Sequence, residues 1–284
     1  MELDLGTPQQ RALLAVLLLA GGRQVSMDAL VEALWGPEPP RAAVGAVRTY
    51  VHRLRRRFEP DGKGKMIETA GDGYVLHLPP AALDLNLFLH WTSQARQAHR
   101  AGDSFRESGF LKDALALWTG APLAGLQGDY AEAQRARLAE LHVAAVEERL
   151  AADIELGRHV AAAAELQALL ASHPMRERLS ELLMLALYRG GRQAEALGIF
   201  GHARRVLKEE LGISPGPSLQ EMHRRILQAD DSLMKVASPH SAALQPDPTL
   251  RPQVQSAELP PRKAVVSHHR SGCRPYPLRC AWRW

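Results

Sequence analysis

The stretch from Arg41 to Phe58 constrains the fold more than any other part of the chain, because one side of it is apolar and the other cationic. At helical spacing its apolar residues form a single stripe: Val44, Val47, Val51, Leu54 and Phe58. The other side carries no acidic residue and consists of Arg41, Arg48, Thr49, His52, Arg53, Arg55, Arg56 and Arg57. Guanidinium groups match phosphate oxygens and guanine edges, so this surface suits a DNA major groove. A solvated basic helix would have the same charge pattern.

Two shorter helices are predicted before this stretch. Thr7 is placed to cap the first helix, which Gly21-Gly22 ends. Ser26 caps the second, which stops at Trp35-Gly36-Pro37 before a proline-rich link. The basic third helix then ends near Glu59. Two short helices, a tight connection and a basic third helix are the parts of a helix-turn-helix.

A β-hairpin is predicted directly behind the third helix. Its strands are Met66–Thr69 and Tyr74–Leu78, and the turn is Gly71-Asp72-Gly73. A hairpin in this position is a wing, which lies over the phosphates or in the adjacent minor groove. The wing therefore favours DNA binding over a basic helix without a partner.

These motifs, in this order, resemble the OmpR-type winged helix of the Streptomyces antibiotic regulatory proteins, the SARP family. The matching features are a Gln-Arg-Ala-Leu-Leu start, an Ala-Leu-Trp-Gly stop, a Pro-Pro link, a Tyr-Val-x-Arg-Leu-Arg-Arg core and a Gly-Tyr-x-Leu wing strand. The resemblance implies base-facing roles for Arg48, Thr49, His52 and Arg53, and phosphate contacts by Arg41, Tyr50, Arg55 and Arg56. His52 has the alternative of being a passive surface residue.

The wing itself carries three residues singled out by the resemblance: Thr69, a structural Gly73, and Tyr74, which packs the wing against the third helix. Its tip lacks the arginine that many OmpR-type wings insert into the minor groove, and Asp72 would be repelled there. Lys63 and Lys65 are therefore the expected wing-side phosphate contacts.

The start of the chain departs from the family pattern. Family members begin with an antiparallel sheet of some two dozen residues, and only Glu2–Leu5 precedes the first helix here. We expect either a truncated N-terminal sheet or a displaced start.

Residues 81–229 are predicted to form an all-α domain of tetratricopeptide (TPR)-like repeats. Gly157-Arg158 recurs as Gly191-Arg192, 34 residues later. Three further pairs follow at the same interval: Ala162 and Ala196, Leu166 and Phe200, Leu169 and Ala203. Alanine-rich helices also produce chance matches, so a bundle that merely dimerises or stabilises its neighbour stays open beside a partner-binding array.

The same domain resembles the bacterial transcriptional activation domain that follows the winged helix in the SARP family. The resemblance rests on the runs LALWTGAPLAGL, RLAELHVAAVEERLAADIELGRH and HPMRERLSELLMLALYRGGRQAEAL. It implies homodimerisation on DNA and contact with RNA polymerase.

Residues 230–284 are rich in Pro, Ser and Ala without an apolar period, which predicts a disordered tail. The tail holds His268-His269 and both cysteines of the chain, Cys273 and Cys280, at a spacing that matches no familiar zinc site. No metal is expected. A body without thiols favours a reducing compartment, and no apolar run approaches the roughly 20 residues of a membrane span, so a cytoplasmic location is expected.

The sequence lacks a phosphate-binding P-loop, a dinucleotide-binding glycine motif and a His-Glu-x-x-His metal motif, so we expect neither catalysis nor a cofactor. The predicted fold class is mainly α: a winged helix-turn-helix in residues 1–80, with a truncated N-terminal sheet, and then an all-α TPR-like domain. The predicted function is a sequence-specific transcriptional activator that binds promoter DNA. By the resemblance it would regulate a secondary-metabolite gene cluster. A protein-interaction adaptor, or a repressor on the same fold, is the alternative.

Overall fold

The computed structural model describes residues 6–59 and 66–234 of the 284-residue chain. The described part is mainly helical, and a small antiparallel sheet lies near its N-terminal end. The strands are β1 (Val25–Ser26), β2 (Ile67–Ala70) and β3 (Gly73–Leu76). The helices are α1 (Pro8–Leu19), α2 (Met27–Trp35), α3 (Ala43–Phe58), α4 (Asp84–Arg100), α5 (Ser104–Leu115), α6 (Asp129–Glu155), α7 (His159–Ser172), α8 (Glu177–Arg189), α9 (Gln193–Leu211) and α10 (Pro217–Leu227).

The first two helices begin at the residues that the sequence indicates. The Thr7 hydroxyl accepts from the Gln10 amide, and the Gln10 side chain accepts from the Thr7 amide at 3.2 Å, which closes a capping box. The Ser26 hydroxyl caps α2 by accepting from the amide of Ala29 at 3.2 Å. These caps satisfy amides that would otherwise have no partner at the helix start. Both predicted caps are confirmed.

The hairpin is present and has a two-residue turn. Ala70 pairs with Gly73 across Gly71 and Asp72, and Gly71 adopts a left-handed φ of 54°. The third strand, β1, lies on the other side of β3, with Val25 opposite Tyr74. A Cβ atom on Gly73 would lie 1.9 Å from the carbonyl oxygen of Val25, so only glycine allows this pairing.

The predicted 34-residue period appears as a repeated turn. Gly157 and Gly191 both have left-handed φ angles, 79° and 74°. The amide after each glycine donates to the carbonyl five residues earlier: Arg158 to Asp153 and Arg192 to Leu187, each at 2.9 Å. The small residues that follow, Ala162 and Ala196, are buried where the helices cross. The TPR-like prediction is confirmed.

The rotation of the third helix differs from the prediction at its first turn. Val44 is 41% exposed, and the buried residue is Ala43, which is 4% exposed. Ala43 lies four residues before Val47 and continues the stripe of Val47, Val51 and Leu54. Val44 lies at the edge of this stripe, so the expectation of a buried Val44 was wrong.

The hydrophobic packing of the described residues divides within α6. A first core joins the winged helix to α4, α5 and the first part of α6, as far as Ala145. A second core begins at Val146 and includes α7 to α10. The boundary that was expected near residue 80 coincides with a 3₁₀ turn at Pro80–Ala82 and stays a prediction.

Some expectations fall on residues 1–5, 60–65 and 235–284, which lie outside the described residues. They concern the N-terminal strand, Lys63 and Lys65, and the tail from residue 235 onward with its His and Cys residues. The first residues of the predicted disordered tail are ordered: Asp231–Met234 form a 3₁₀ turn whose Leu233 is buried in the second core and accepts, through its carbonyl, from Nε of Arg189, so the tail was predicted to begin too early. Among the described residues, no helix is long and apolar enough to cross a membrane.

Candidate nucleic-acid interface

The face of α3 opposite its buried stripe is open to solvent. Val47, Val51 and Leu54 are at most 1% exposed and fix the rotation of the helix against the first core. The residues expected to face bases are all exposed: Arg48, Thr49, His52 and Arg53. Arg41 and Arg56, two of the expected phosphate contacts, are exposed as well.

Four arginines of this face carry charge that no acidic residue in the described part of the chain pairs with. No ion pair within residues 6–59 and 66–234 involves Arg41, Arg48, Arg53 or Arg56. Part of the basic character has a local role, because cations in the last turn of a helix oppose its dipole. That role does not extend to Arg41, which precedes α3, or to Arg48, which lies in its second turn. These two arginines make the electrostatic potential of the surface more positive without stabilising the helix dipole.

Thr49 offers a different chemistry from the arginines. Its hydroxyl donates to the carbonyl of Gly45 at 2.9 Å, one turn earlier in α3. The hydroxyl proton is thus used inside the helix, and the outward side of Thr49 presents a methyl group and oxygen lone pairs. A methyl group suits contact with the C5-methyl group of thymine.

The wing is fixed to α3 at two levels. At the base, a carboxylate oxygen of Glu59 accepts from the amides of Met66 and Ile67, the latter at 3.3 Å. One turn earlier, Arg55 donates from Nε to the carbonyl of Ile67 and from Nη2 to the hydroxyl of Thr69, each at 2.9 Å. The guanidinium carbon of Arg55 also lies 5.7 Å from the centre of the Tyr74 ring.

The wing tip is held from the opposite side. The side-chain amide of Gln24 donates to the carbonyl of Ala70 at 2.9 Å and to the carboxylate of Asp72 at 3.1 Å. The amide of Met27 donates to the carbonyl of Asp72 at 3.2 Å. The acidic residue that was expected to be repelled by phosphate is therefore bonded to the segment between α1 and α2.

The remaining predicted site residues differ in how far they are buried. Tyr74 is buried in the first core, and Tyr50 is half-buried and packs against that core. Thr69 is exposed and accepts from Arg55. Arg55 is half-buried because its guanidinium faces the wing, although the resemblance implied a phosphate contact.

Two positioning residues, Gln24 and Glu59, were not predicted. Gln24 bonds to residues 46 and 48 positions later in the chain, and Glu59 bonds to residues seven and eight positions later. Neither contact follows from a periodic pattern in the sequence.

Two family models match the chain. "Transcriptional regulatory protein, C terminal" covers residues 2–76, and "Bacterial transcriptional activator domain" covers residues 83–227. Regulatory protein DnrI of Streptomyces peucetius is 34% identical over 78% of this chain and 85% of its own length. Regulatory protein AfsR of Streptomyces coelicolor is 48% identical over 90% of this chain. The chain belongs to the SARP family.

This SARP chain also resembles a solved structure. The complex of Mycobacterium tuberculosis EmbR with a low-affinity phosphopeptide matches with a TM-score of 0.76 and 36% identity, covering 82% of this chain and 64% of that one. The chain spans about a quarter of the length of the AfsR relatives, 25% for Streptomyces coelicolor and 24% for Streptomyces griseus. The predicted family and fold class are confirmed. The roles of single residues on α3 and the wing stay predictions.

Proposed function

We propose that this SARP chain binds promoter DNA in a sequence-specific way and activates transcription of a secondary-metabolite gene cluster. The observation that carries the proposal is the solvent-exposed face of α3, on which Arg48, Arg53 and Arg56 form no ion pair with the described residues, beside a wing held in place. A rigid scaffold beneath an exposed basic helix is what insertion into a major groove requires.

The proposed division of labour follows position on the helix. Arg48, Thr49, His52 and Arg53 read base edges, where a bidentate arginine distinguishes guanine from the other bases. Arg41, Tyr50 and Arg56 grip phosphates, and so do Lys63 and Lys65 on the segment before the wing. Phosphate contacts fix the register of the protein on DNA and carry no sequence information themselves.

The helical domain supplies the protein contacts in this proposal. Its stacked helix pairs form an extended surface of the kind that repeat proteins use for partners. The domain pairs two chains on DNA and engages RNA polymerase. Support for these partners comes from membership of the SARP family and from the match to the activator-domain model at residues 83–227.

The test compares two neighbouring arginines on promoter DNA that genome-wide footprinting of the tagged protein identifies. Arg53→Ala should weaken binding by about 1–3 kcal/mol at particular base pairs and little on random DNA. Arg56→Ala should weaken binding to all sequences alike and lower the slope of log K against log salt by about 0.9. Titrations by fluorescence anisotropy from low to high salt measure both effects.

Equal losses on promoter and random DNA from both variants would contradict the division of labour. A wild-type chain that showed no preference for any promoter fragment would contradict DNA recognition itself and favour a protein-interaction adaptor. Reporter transcription that rose on deletion of the gene would identify a repressor.

A further inference from the structure

We propose that Arg55 is a positioning residue that sets the distance between α3 and the wing, and that it is not one of the phosphate contacts. The proposal rests on the proposed function, since it concerns how the same DNA-binding surface is shaped. It rests structurally on three contacts of one guanidinium: the carbonyl of Ile67, the hydroxyl of Thr69 and the ring of Tyr74.

The position of Arg55 along α3 explains why it differs from its neighbours. Arg48 and Arg55 are seven residues apart in α3, which is close to two helical turns, so they lie on one side of the helix. Of these two, Arg55 hydrogen-bonds to β2. Arg41 and Arg48 are exposed, whereas Arg55 is half-buried between the helix and the hairpin.

The chemistry of the contact requires arginine. Nε and Nη2 of Arg55 lie in one rigid plane and donate to two acceptors on β2. These are the carbonyl of Ile67 and, two residues later, the hydroxyl of Thr69. The same plane lies near the Tyr74 ring, which belongs to β3 and is buried in the first core. Lysine carries the same charge but has a single nitrogen on a flexible stem, so it cannot make both hydrogen bonds in this fixed geometry.

The contact preorganises the two DNA-facing elements. Glu59 holds the base of the wing and Gln24 holds its tip, so Arg55 is the link between the middle of β2 and the helix. A fixed spacing lets α3 and the wing reach adjacent grooves without an ordering cost at the time of binding. The consequence is that Arg55 acts on affinity and on wing contacts through geometry, and not through its charge.

The first experiment uses the free full-length chain and compares Arg55→Lys with Arg56→Lys. Amide hydrogen exchange measured by NMR reports on the β2–β3 ladder, including the amide of His77, which donates to the carbonyl of Met66 at 2.7 Å. We expect exchange in the ladder to be about tenfold faster in Arg55→Lys, the factor that corresponds to about 1.4 kcal/mol, and unchanged in Arg56→Lys. Leu54, buried in α3, serves as the internal reference.

A Thr69→Val variant keeps the shape of the acceptor residue and removes its hydroxyl. Its effect on ladder exchange should be smaller in the Arg55→Lys background than in the wild type, because both changes remove the same contact. Ladder exchange that is unchanged in Arg55→Lys, or fully additive effects of the two substitutions, would overturn the positioning role.

The second experiment uses promoter DNA. Arg55→Lys should bind about tenfold more weakly with an unchanged salt slope, and hydroxyl-radical protection of the wing-side minor groove should be lost. Methylation protection of guanines in the major groove should persist. The matched pair Arg55→Gln and Arg56→Gln should differ in salt slope, which falls by about 0.9 only for Arg56→Gln.

A phosphate contact by Arg55 gives the opposite pattern: wild-type affinity for Arg55→Lys and a reduced slope for Arg55→Gln. That result would overturn the proposal. If the wild-type chain binds no DNA specifically, the proposed function fails, and the exchange experiment still decides whether Arg55 positions the wing.

Discussion

Replacing Asp153 with asparagine should destabilise the joint between the two hydrophobic cores. Asp153 is 6% exposed and lies near the end of α6. Its Oδ1 accepts from the hydroxyl of Ser108 and from Nη1 of Arg158, each at 2.7 Å, and its Oδ2 accepts from Nη1 of Arg149 at 2.9 Å. Lys112 lies 3.6 Å away. The contacts join α5, which packs in the first core, to the turn that leads into α7, which packs in the second.

The size of the effect follows from which partners can return to water. Removing one partner of a fully buried ion pair costs about 3–5 kcal/mol. Arg158 and Lys112 are 41% and 51% exposed in their side chains and can be solvated, and Arg149 retains Glu165. The asparagine amide also turns an N–H donor toward Arg149 in place of an acceptor. We therefore expect a loss of about 2–3 kcal/mol at pH 7.

The pH dependence has a definite sign. Burial alone would raise the pKa of Asp153, but hydrogen bonds from Ser108 and Arg158 and the charges of Lys112 and Arg149 outweigh it, so the pKa is lowered. The charged carboxylate therefore stabilises the fold above the ordinary aspartate pKa of about 3.9. This stabilisation is lost as the pH falls through the lower folded pKa. The difference between wild type and Asp153→Asn should shrink below about pH 4.

Urea unfolding followed by circular dichroism at 222 nm measures the loss. With an m-value of about 2 kcal/mol/M, the midpoint should fall by about 1 M. Glu165→Gln is the matched control, since Glu165 is 46% exposed in its side chain and pairs with the same Arg149, and it should cost less than about 1 kcal/mol. An Asp153→Asn midpoint equal to that of the control, or a difference from wild type that persists undiminished at pH 3, would refute the reasoning.

Two further predictions concern the winged helix. Gly73→Ala should cost about 3 kcal/mol in thermal melts, because its Cβ would meet the Val25 carbonyl at 1.9 Å, whereas Gly45→Ala in open space within α3 should stabilise by about 0.5–1 kcal/mol. If Gly73→Ala and Gly45→Ala changed the free energy of unfolding in the same direction, the result would contradict the β1–β3 pairing. Leu54→Ala should cost about 2–5 kcal/mol in urea unfolding and Val44→Ala less than about 1, since their exposures are 0% and 41%. Equal costs would show that the rotation of α3 is wrong.

Periodicity and local turn chemistry predicted most of the fold. Val47, Val51 and Leu54 recur at helical spacing, and the caps at Thr7 and Ser26 depend on residues within one turn. The hairpin follows from a glycine turn between two alternating segments. Such signals are local, and the structure bears them out. Val44 was misplaced because five apolar residues fix the direction of the stripe only approximately at the end of a helix.

The features that the sequence did not predict depend on contacts between separate segments of the chain. β1 is two residues long, Val25–Ser26, and exists only because β3 lies beside it. The role of Arg55 was assigned from its place in a run of arginines, and its neighbour β2 decides that role. Composition gives every arginine in the run the same chemistry. Three-dimensional context separates the half-buried Arg55, which links α3 to the wing, from the exposed cations beside it.

Helix α6 connects the two hydrophobic cores, so the two predicted domains share one structural element. Helix α6 is 27 residues long, about 40 Å, and buries Leu138 in the first core and Leu150 and Ile154 in the second. The same helix therefore packs against the winged helix at one end and against the repeats at the other. Under the proposed function, a partner bound to the repeats is connected to α3 through α6, and Asp153, which bonds α6 to α5 and to the turn before α7, lies at that connection.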